Sequence, residues 1–281
     1  MRYILLLLST FLAAHEPIHS SVNTYYENIN FKNSVQKTGG NLLGVGGDIH
    51  IENSAFKFAY EYANTQTKQP PLDDDLRTQK IFLKYCYSFE NALSLNINYI
   101  NVLEDNIAPT VHGEVYGAGL GYEVNKHIYV NFTQFYSDYK DFDVYQSDLK
   151  LDYKTKFDEV RVKFTAIAHA IKLSDYENNS FSKNADESYF TTGLKAHAHY
   201  KSYHLGAAAY FGKRIFAVMD DGFKVQHHAM EFDRTYALGV GKSFSDFTLR
   251  VQGIYQRATE IPMKNENVEL INLRVIANYK F

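Results

Sequence analysis

Two-residue alternation of apolar and polar side chains runs through this chain from about residue 24 onward. From Ala92 to Val102, Leu93, Leu95, Ile97 and Tyr99 share one face, and Ser94, Asn96 and Asn98 share the other. From Asp158 to Ala170, Val160, Val162, Phe164, Ala166 and Ala168 oppose Glu159, Arg161, Lys163, Thr165 and His169. Phe190, Leu194, Ala196 and Ala198 oppose Lys195, His197 and His199 in the same way. Phe247, Leu249, Val251 and Tyr255 oppose Arg250, Gln252 and Gln256. Successive strand side chains point to opposite faces, so each segment is expected to be a strand with one apolar and one polar face. No amphipathic helix of comparable clarity is present.

The connections also alternate in length. Short ones are read at Asn53-Ser54, Glu90-Asn91, Asn125-Lys126, Lys154-Thr155-Lys156, Lys201-Ser202 and Ser245-Asp246. Longer polar ones are read at Gln36–Asn41, Lys68–Arg77, Glu104–Val111, Ser174–Glu187 and Ile261–Asn267, with tighter members near Tyr139–Asp141 and Asp220–Gly222. Short turns at one end and longer loops at the other is the layout of an outer-membrane barrel. The count is about fourteen strands, from near Thr24 to Phe281. An N-terminal plug over Thr24–Glu52 would reduce it to about twelve. An exported chain with both ends on one side of the membrane needs an even number.

Barrel size decides which face points outward. A barrel of about eight strands can fill its interior with side chains, and a much wider one cannot. The apolar face is therefore expected to point outward, where only lipid makes it stable. Closure also removes unpaired strand edges, which lipid cannot solvate. Composition excludes the main rivals. Charged residues make up 22% of the chain, too many for a bundle of membrane helices. Beyond the N-terminus, no stretch approaches the roughly 20 apolar residues a membrane helix needs. Tyr and Phe at 15% argue against disorder. A formal charge of −3 gives no signal for nucleic acid. Cys86, the single cysteine, rules out an internal disulfide and Cys-rich zinc motifs.

Met1-Arg2-Tyr3 gives a short basic start, and Ile4 to Ala14 is an apolar run broken by His15-Glu16-Pro17. This reads as a secretory signal peptide over 1–14, with a cut as late as residue 20 the alternative. Residues 15–281 are then one barrel domain.

In the last segment Ile271, Leu273, Val275, Ala277, Tyr279 and Phe281 share one face, and Asn272, Arg274, Asn278 and Lys280 the other. A final alternating strand ending on Phe, here with Tyr279 and Phe281, resembles the assembly signal of bacterial outer-membrane β-barrels. The resemblance covers the whole exported chain as an architecture: an all-β, antiparallel, up-and-down transmembrane barrel, porin-like, in the outer membrane. It implies outer-membrane lipid and the barrel assembly machinery as partners. One chain per barrel is expected, with a trimer the alternative. Trp is absent, so Tyr and Phe must form the aromatic girdles, for example Tyr85, Tyr87, Phe89, Tyr122, Tyr136 and Tyr153.

With the apolar face outward, the polar face lines the lumen. Its selectivity candidates are Lys57, Glu61, Lys80, Lys84, Asp148, Lys150, Asp152, Glu159, Arg161, Lys163, Lys195, His197, Arg250 and Arg274. Asp48, His50, Glu52, Asn96, Asn98, His199, Glu231 and Asp233 extend the set. Charged rings bias which ions pass a water-filled pore. The leading expectation is a porin-like channel for passive diffusion of small polar solutes or ions, with Ser174–Glu187 and Lys68–Arg77 as loops that could fold in and gate it. The alternatives are a closed-lumen barrel presenting loops to partners, and a rim enzyme using His227 or His228 beside Asp220-Asp221. No Ser, His and carboxylate set has a recognisable spacing, so no catalytic residue is assigned.

No cofactor and no metal site is assigned either. Gly239-Val240-Gly241-Lys242-Ser243 imitates a phosphate loop, but Tyr236 stands where its first glycine is required. Gly117, Gly119 and Gly121 share one face of a strand and do not form a dinucleotide turn.

Overall fold

The computed structural model describes residues 19–68, 72–105 and 109–281. The expected signal peptide, 1–14, lies outside them. The strands are β1 (His19–Lys32), β2 (Lys37–Ile51), β3 (Ser54–Thr67), β4 (Leu76–Ser88), β5 (Leu93–Asp105), β6 (Glu114–Asn125), β7 (Ile128–Tyr139) and β8 (Phe142–Phe157). They continue with β9 (Val160–Ser174), β10 (Ser188–Tyr200), β11 (Tyr203–Arg214), β12 (Val218–Met219), β13 (Lys224–Val225), β14 (Met230–Phe244), β15 (Phe247–Glu260) and β16 (Asn265–Lys280). Fourteen of these close an antiparallel barrel in chain order, and β12 and β13 pair only with each other. The wall closes where β1 meets β16, from Ser21 opposite Lys280 to Lys32 opposite Glu269. Residues 24–52 belong to β1, β2 and the turn after them, so this stretch is wall and not a plug.

Alternation sets the two faces. Leu43, Phe58, Leu83, Leu120, Leu149, Leu194, Leu238 and Leu273 are exposed on the outside, from strands all round the barrel. Such a belt is stable only against lipid. Aromatic rings border it at both ends. Tyr87 meets Phe89 and Tyr279 meets Phe281 near the short turns, with ring centroids 4.8 and 4.9 Å apart. Near the loops Tyr99 meets Tyr116 and Tyr136 meets Tyr145, at 5.5 and 5.2 Å. There the hydroxyls of Tyr99, Tyr136 and Tyr255 donate to Glu114, Asp143 and Glu269. An amphipathic ring with its polar tip in water suits that boundary.

Two expected connections move. Lys37–Asn41 of the expected loop Gln36–Asn41 lies inside β2, whose glycines and Asn41 continue the ladder, and the chain turns at Asn33–Gln36 instead. Lys154–Lys156 lies inside β8, and the chain reverses at Asp158-Glu159 instead. The polar cluster resembles a turn, but it continues the two-residue alternation to the strand end.

The largest departure is inside the barrel. The chain leaves the wall after Arg214 and returns at Met230, and the segment between them is folded into the lumen with β12 and β13 as a small hairpin. Only Asp220–Gly222 within it was expected to be a connection. Neither the described residues of the Lys68–Arg77 loop nor Ser174–Glu187 take this position. The second still contributes, because Phe181 and Ala185 pack onto the inserted segment's apolar cluster.

Inward-facing apolar residues receive the insert. Ala59, Phe82, Ile100, Val115 and Phe135 from β3–β7 pack against Val218, Phe223 and Val225. Tyr139, Phe142, Ile167, Ile171 and Tyr210 pack around Ile215, Phe216, Ala217 and Met219. The lumen towards the loops is thus a second, internal core, where a uniformly polar lining was expected. Gly117 makes room for it, because a Cβ there would lie 2.5 Å from the Phe135 ring. The glycine face of β6 serves packing inside the barrel.

Candidate functional site

Inward-facing polar residues concentrate where the apolar core stops, and the insert's tip reaches them. Asp220 and Asp221 stand at this tip with left-handed φ of 51° and 58°. Lys195 of β10 donates to Asp220 Oδ1 at 3.0 Å. Lys150 of β8 donates to Asp221 Oδ1 at 2.8 Å, and Lys84 of β4 to the Asp221 carbonyl at 2.8 Å. Gly222 follows at φ +93°, with space for a Cβ denied by Asn98 Oδ1 at 2.5 Å. Only glycine fits both the turn and that approach.

Two kinds of force hold the insert, and they differ in size. Phe216 is fully buried, a change worth about 3 kcal/mol for a side chain of that size. The Asp220 and Asp221 side chains are 50% and 51% exposed, beside the cavity that they help to line. Ion pairs that wet contribute about 0–1 kcal/mol. Apolar packing therefore keeps the insert in the barrel, and the lysines set where its tip rests. The Lys195 ammonium holds the Asp220 carboxyl well below the usual carboxylate range. Burial opposes ionisation of Asp221, but Lys150 and Lys84 outweigh it, so its carboxyl is also lowered.

The other limb of the insert faces β1–β4 and β14–β16, and here the packing is open. A cavity of about 580 Å³ begins at the turn end, lined by Ser21, Asn23, Asp48, Arg250, Asn278 and Lys280. It shares Asn23, Asp48, Arg250 and Ile276 with a second cavity of about 580 Å³ beneath the tip. That cavity shares Glu61, Lys224 and Arg274 with a third of about 90 Å³ beside the insert. The third shares His228 with a fourth of about 20 Å³ among Leu72, Pro109, Phe181 and Pro262 at the loop end. Four cavities thus lie in file between the two ends.

Charged pairs surround the narrow part. Glu27 of β1 takes hydrogen bonds from Arg274 and Asn272 of β16. Glu61 of β3 lies 3.3 Å from Lys80 of β4 and accepts from the Tyr25 hydroxyl at 2.7 Å. Glu27, Glu61 and Lys80 are all buried. Lys224 of the insert lines both neighbouring cavities.

Apart from Glu159, the sequence-selected residues fall into five groups. Lys57, Lys84 and Arg250 face the large cavity, with Lys57 directly opposite Lys84 in the β3–β4 register. Glu61, Lys80 and Arg274 form the narrow part. Asp148 is sealed against His169 at 2.6 Å and Gln146 at 2.8 Å. Lys150 and Lys195 hold the insert. Asp152, Arg161, Lys163 and His197 lie on the inner wall near the turn end, where Lys163 pairs with Asp152 at 2.9 Å.

Glu159 does not line the lumen. It lies in the β8–β9 turn, exposed, with Lys201 of the next turn 3.7 Å away. Asp233 is also displaced, by a bulge in β14 that puts it against Arg257 on the outer face. Sequence reasoning missed the insert and Arg214 at its root, which is buried over the rings of Tyr210 and Phe232. Ile215 to Met219 carried the signal: five apolar residues in a row, with no polar partner face, cannot be a two-faced barrel strand.

The histidines separate into two sets. His204 joins His197 and His199, with Nδ1 atoms of His199 and His204 3.1 Å apart. Among the described residues no three His, Cys, Asp or Glu side chains are arranged to hold a metal. His227 and His228 lie in the insert, their rings in contact, with Lys80 Nζ 3.4 Å from His227. Burial holds both well below the ordinary histidine range. Their expected acid partners, Asp220 and Asp221, are instead bound to Lys195 and Lys150.

A closed barrel with an apolar outer belt and short turns at one end is the architecture of bacterial outer-membrane β-barrels. Solved structures agree. The chain matches a bacterial polysaccharide outer-membrane secretin at a TM-score of 0.59 and 8% identity, covering 93% of this chain and 98% of that one. It matches the outer-membrane protein Omp33 of Acinetobacter baumannii at 0.53 and 10%, covering 94% and 99%. A FadL homologue of Pseudomonas aeruginosa gives 0.53 and 9%, covering 94% and 90%. No protein-family model and no curated protein sequence matches the chain. The fold is that of an outer-membrane β-barrel, and the protein is placed in the outer membrane.

Proposed function

We propose that the protein is a porin-like channel for passive diffusion of small polar solutes or ions, narrowed by the 215–229 insert. The observation that carries this reading is the file of four cavities, each sharing lining residues with the next. The route is off-centre, between the insert and the β1–β4 and β14–β16 wall. Where it narrows beside the insert its surroundings are charged, with Glu27, Glu61, Lys80, Lys224 and Arg274. Charges at a constriction set which ions pass. Wall cations outnumber acids near the turn end, where Lys154 faces Lys163 and Lys156 faces Arg161 across β8–β9. The channel is accordingly expected to prefer anions.

A closed-lumen barrel is the second reading. It is favoured by the small volumes at the loop end, about 90 and 20 Å³. Single-channel recording of the refolded protein in a planar bilayer separates the two. Stable ohmic steps support the channel. A folded barrel that conducts only after residues 218–225 are deleted supports the closed one.

A further inference from the structure

We propose that Lys84, Lys150 and Lys195 form a binding site for a short dicarboxylate solute, which Asp220 and Asp221 occupy as a built-in stand-in. The inference rests on the channel reading for the route by which a solute arrives, and on the geometry for the site. Two carboxylates carried on adjacent residues rest on lysines from two wall strands, at 3.0 and 2.8 Å. A third lysine holds the carbonyl between them and Gly222 at 2.8 Å.

Three observations point to a ligand beyond the tip. First, the tip presents both carboxylates to the wall from a left-handed turn, a conformation that Asp tolerates better than most L residues. Second, the ion pairs face water. Both carboxylates are half-exposed beneath the insert, beside a cavity of about 580 Å³ lined by Lys84, Asp220 and Asp221. An ammonium has three donors, so an arriving carboxylate can engage before the tip departs. Third, with the tip in place the cavity's lining carries five cations, Lys57, Lys84, Lys224, Arg250 and Arg274, against four carboxylates, Asp48, Glu61, Asp220 and Asp221. Lys57 lies directly opposite Lys84 on one side and Asp48 on the other, so the two lysines share one wall carboxylate. Neither Lys57 nor Arg250 enters an ion pair among the described residues, and both line this cavity.

A solute with two carboxylates on a short chain reproduces the tip's chemistry. A monocarboxylate replaces only one of the two contacts. The solute and the tip then compete, and binding frees the tip from the wall. The apolar part of the insert, anchored by Phe216 and Val218, need not leave.

The test is calorimetric titration of succinate into the refolded protein in detergent, with acetate as the comparison. Succinate is expected to bind saturably, and acetate at least tenfold more weakly. Lys150→Gln with Lys195→Gln should weaken succinate at least tenfold, and Lys150→Arg with Lys195→Arg should retain it. Asp220→Asn with Asp221→Asn should tighten succinate severalfold, since removing an internal competitor raises the binding-competent fraction. A purely structural tip would give no such gain. Should the double aspartate variant fail to refold by circular dichroism, Asp221→Asn alone carries the same sign. Unchanged or weaker binding in the aspartate variants, or no succinate binding by either wild type or variant, overturns the proposal. Conductance is a separate readout. Ohmic steps without succinate binding overturn the site alone, and this binding pattern in a non-conducting barrel overturns the channel alone.

Discussion

The Gln146 carboxamide of β8 clamps Val218 of the insert through its backbone, donating to the Val218 carbonyl at 2.7 Å and accepting from its N–H at 2.8 Å. Both residues are buried, so the peptide groups at Val218 have no water to turn to. Replacing Gln146 by Leu leaves them unsatisfied, at a cost of about 2–3 kcal/mol. That shifts the docking equilibrium of the insert roughly 30- to 150-fold toward release. Longer or more frequent open events in bilayer recordings are the expected outcome. Unchanged open probability in a conducting Gln146→Leu barrel would show that the insert stays docked without the clamp.

Barrel closure depends on a different pair. Glu27 on β1 and Arg274 on β16 join the first and last wall strands, and Glu27 is buried. Arg274→Met leaves a buried carboxylate without its guanidinium, a loss of about 3–5 kcal/mol. The variant should unfold at a clearly lower urea midpoint in lipid. Adding Glu27→Gln removes the stranded charge and should restore most of the loss. If the double variant is as unstable as the single one, packing and not charge is the function of Arg274.

Much of this architecture is legible in the residues. Leu93, Leu95 and Ile97 against Ser94, Asn96 and Asn98 give β5 its place and its facing, because lipid outside and protein or water inside impose period two. The chain end, with Tyr279 and Phe281 outward, follows the same rule. The insert was not legible as an insert. Asp220–Gly222 has turn chemistry, so it reads as a short connection, and nothing local says that the residues before it fold inward. The inner face misleads for a related reason. Phe82 and Phe135 break the polar pattern of their strands, and their purpose is visible only once Val218 and Val225 are seen to cover them. Glu159 fails differently: alternation fixes which face a residue takes, but not where the strand stops.

Ion preference should respond to the turn-end wall. Arg161 lies opposite Lys156 and His199, and Lys163 opposite Lys154 and His197. Replacing both with Glu reverses their charge and should move the zero-current potential in a salt gradient toward cations. Stability should change little. Two like-charge cross-strand pairs become attractive, each worth about 0.2–1 kcal/mol, while Asp152 loses its partner Lys163. An unmoved potential in a conducting barrel would show that the turn-end wall does not set ion preference.

The insert should also release in mild acid, and the sign follows from His227 and His228. Docked, both are held well below the ordinary value by burial, with Lys80 and Lys37 adding repulsion. Released into water they return towards about 6.5. The released state therefore binds more protons as pH falls below that value, and docking is progressively lost from there downward. Asp220 and Asp221 act at a lower pH. Their docked carboxyls are lowered, so their contribution is intact above the ordinary carboxylate range and is lost only as pH falls through the depressed values. Open probability should accordingly rise between about pH 6.5 and 5, before the aspartates titrate. His227→Gln with His228→Gln should remove that rise while leaving any change below about pH 4 in place. A rise that persists in the double variant would assign acid opening to groups on the wall, with the inner histidines His197, His199 and His204 the next to replace.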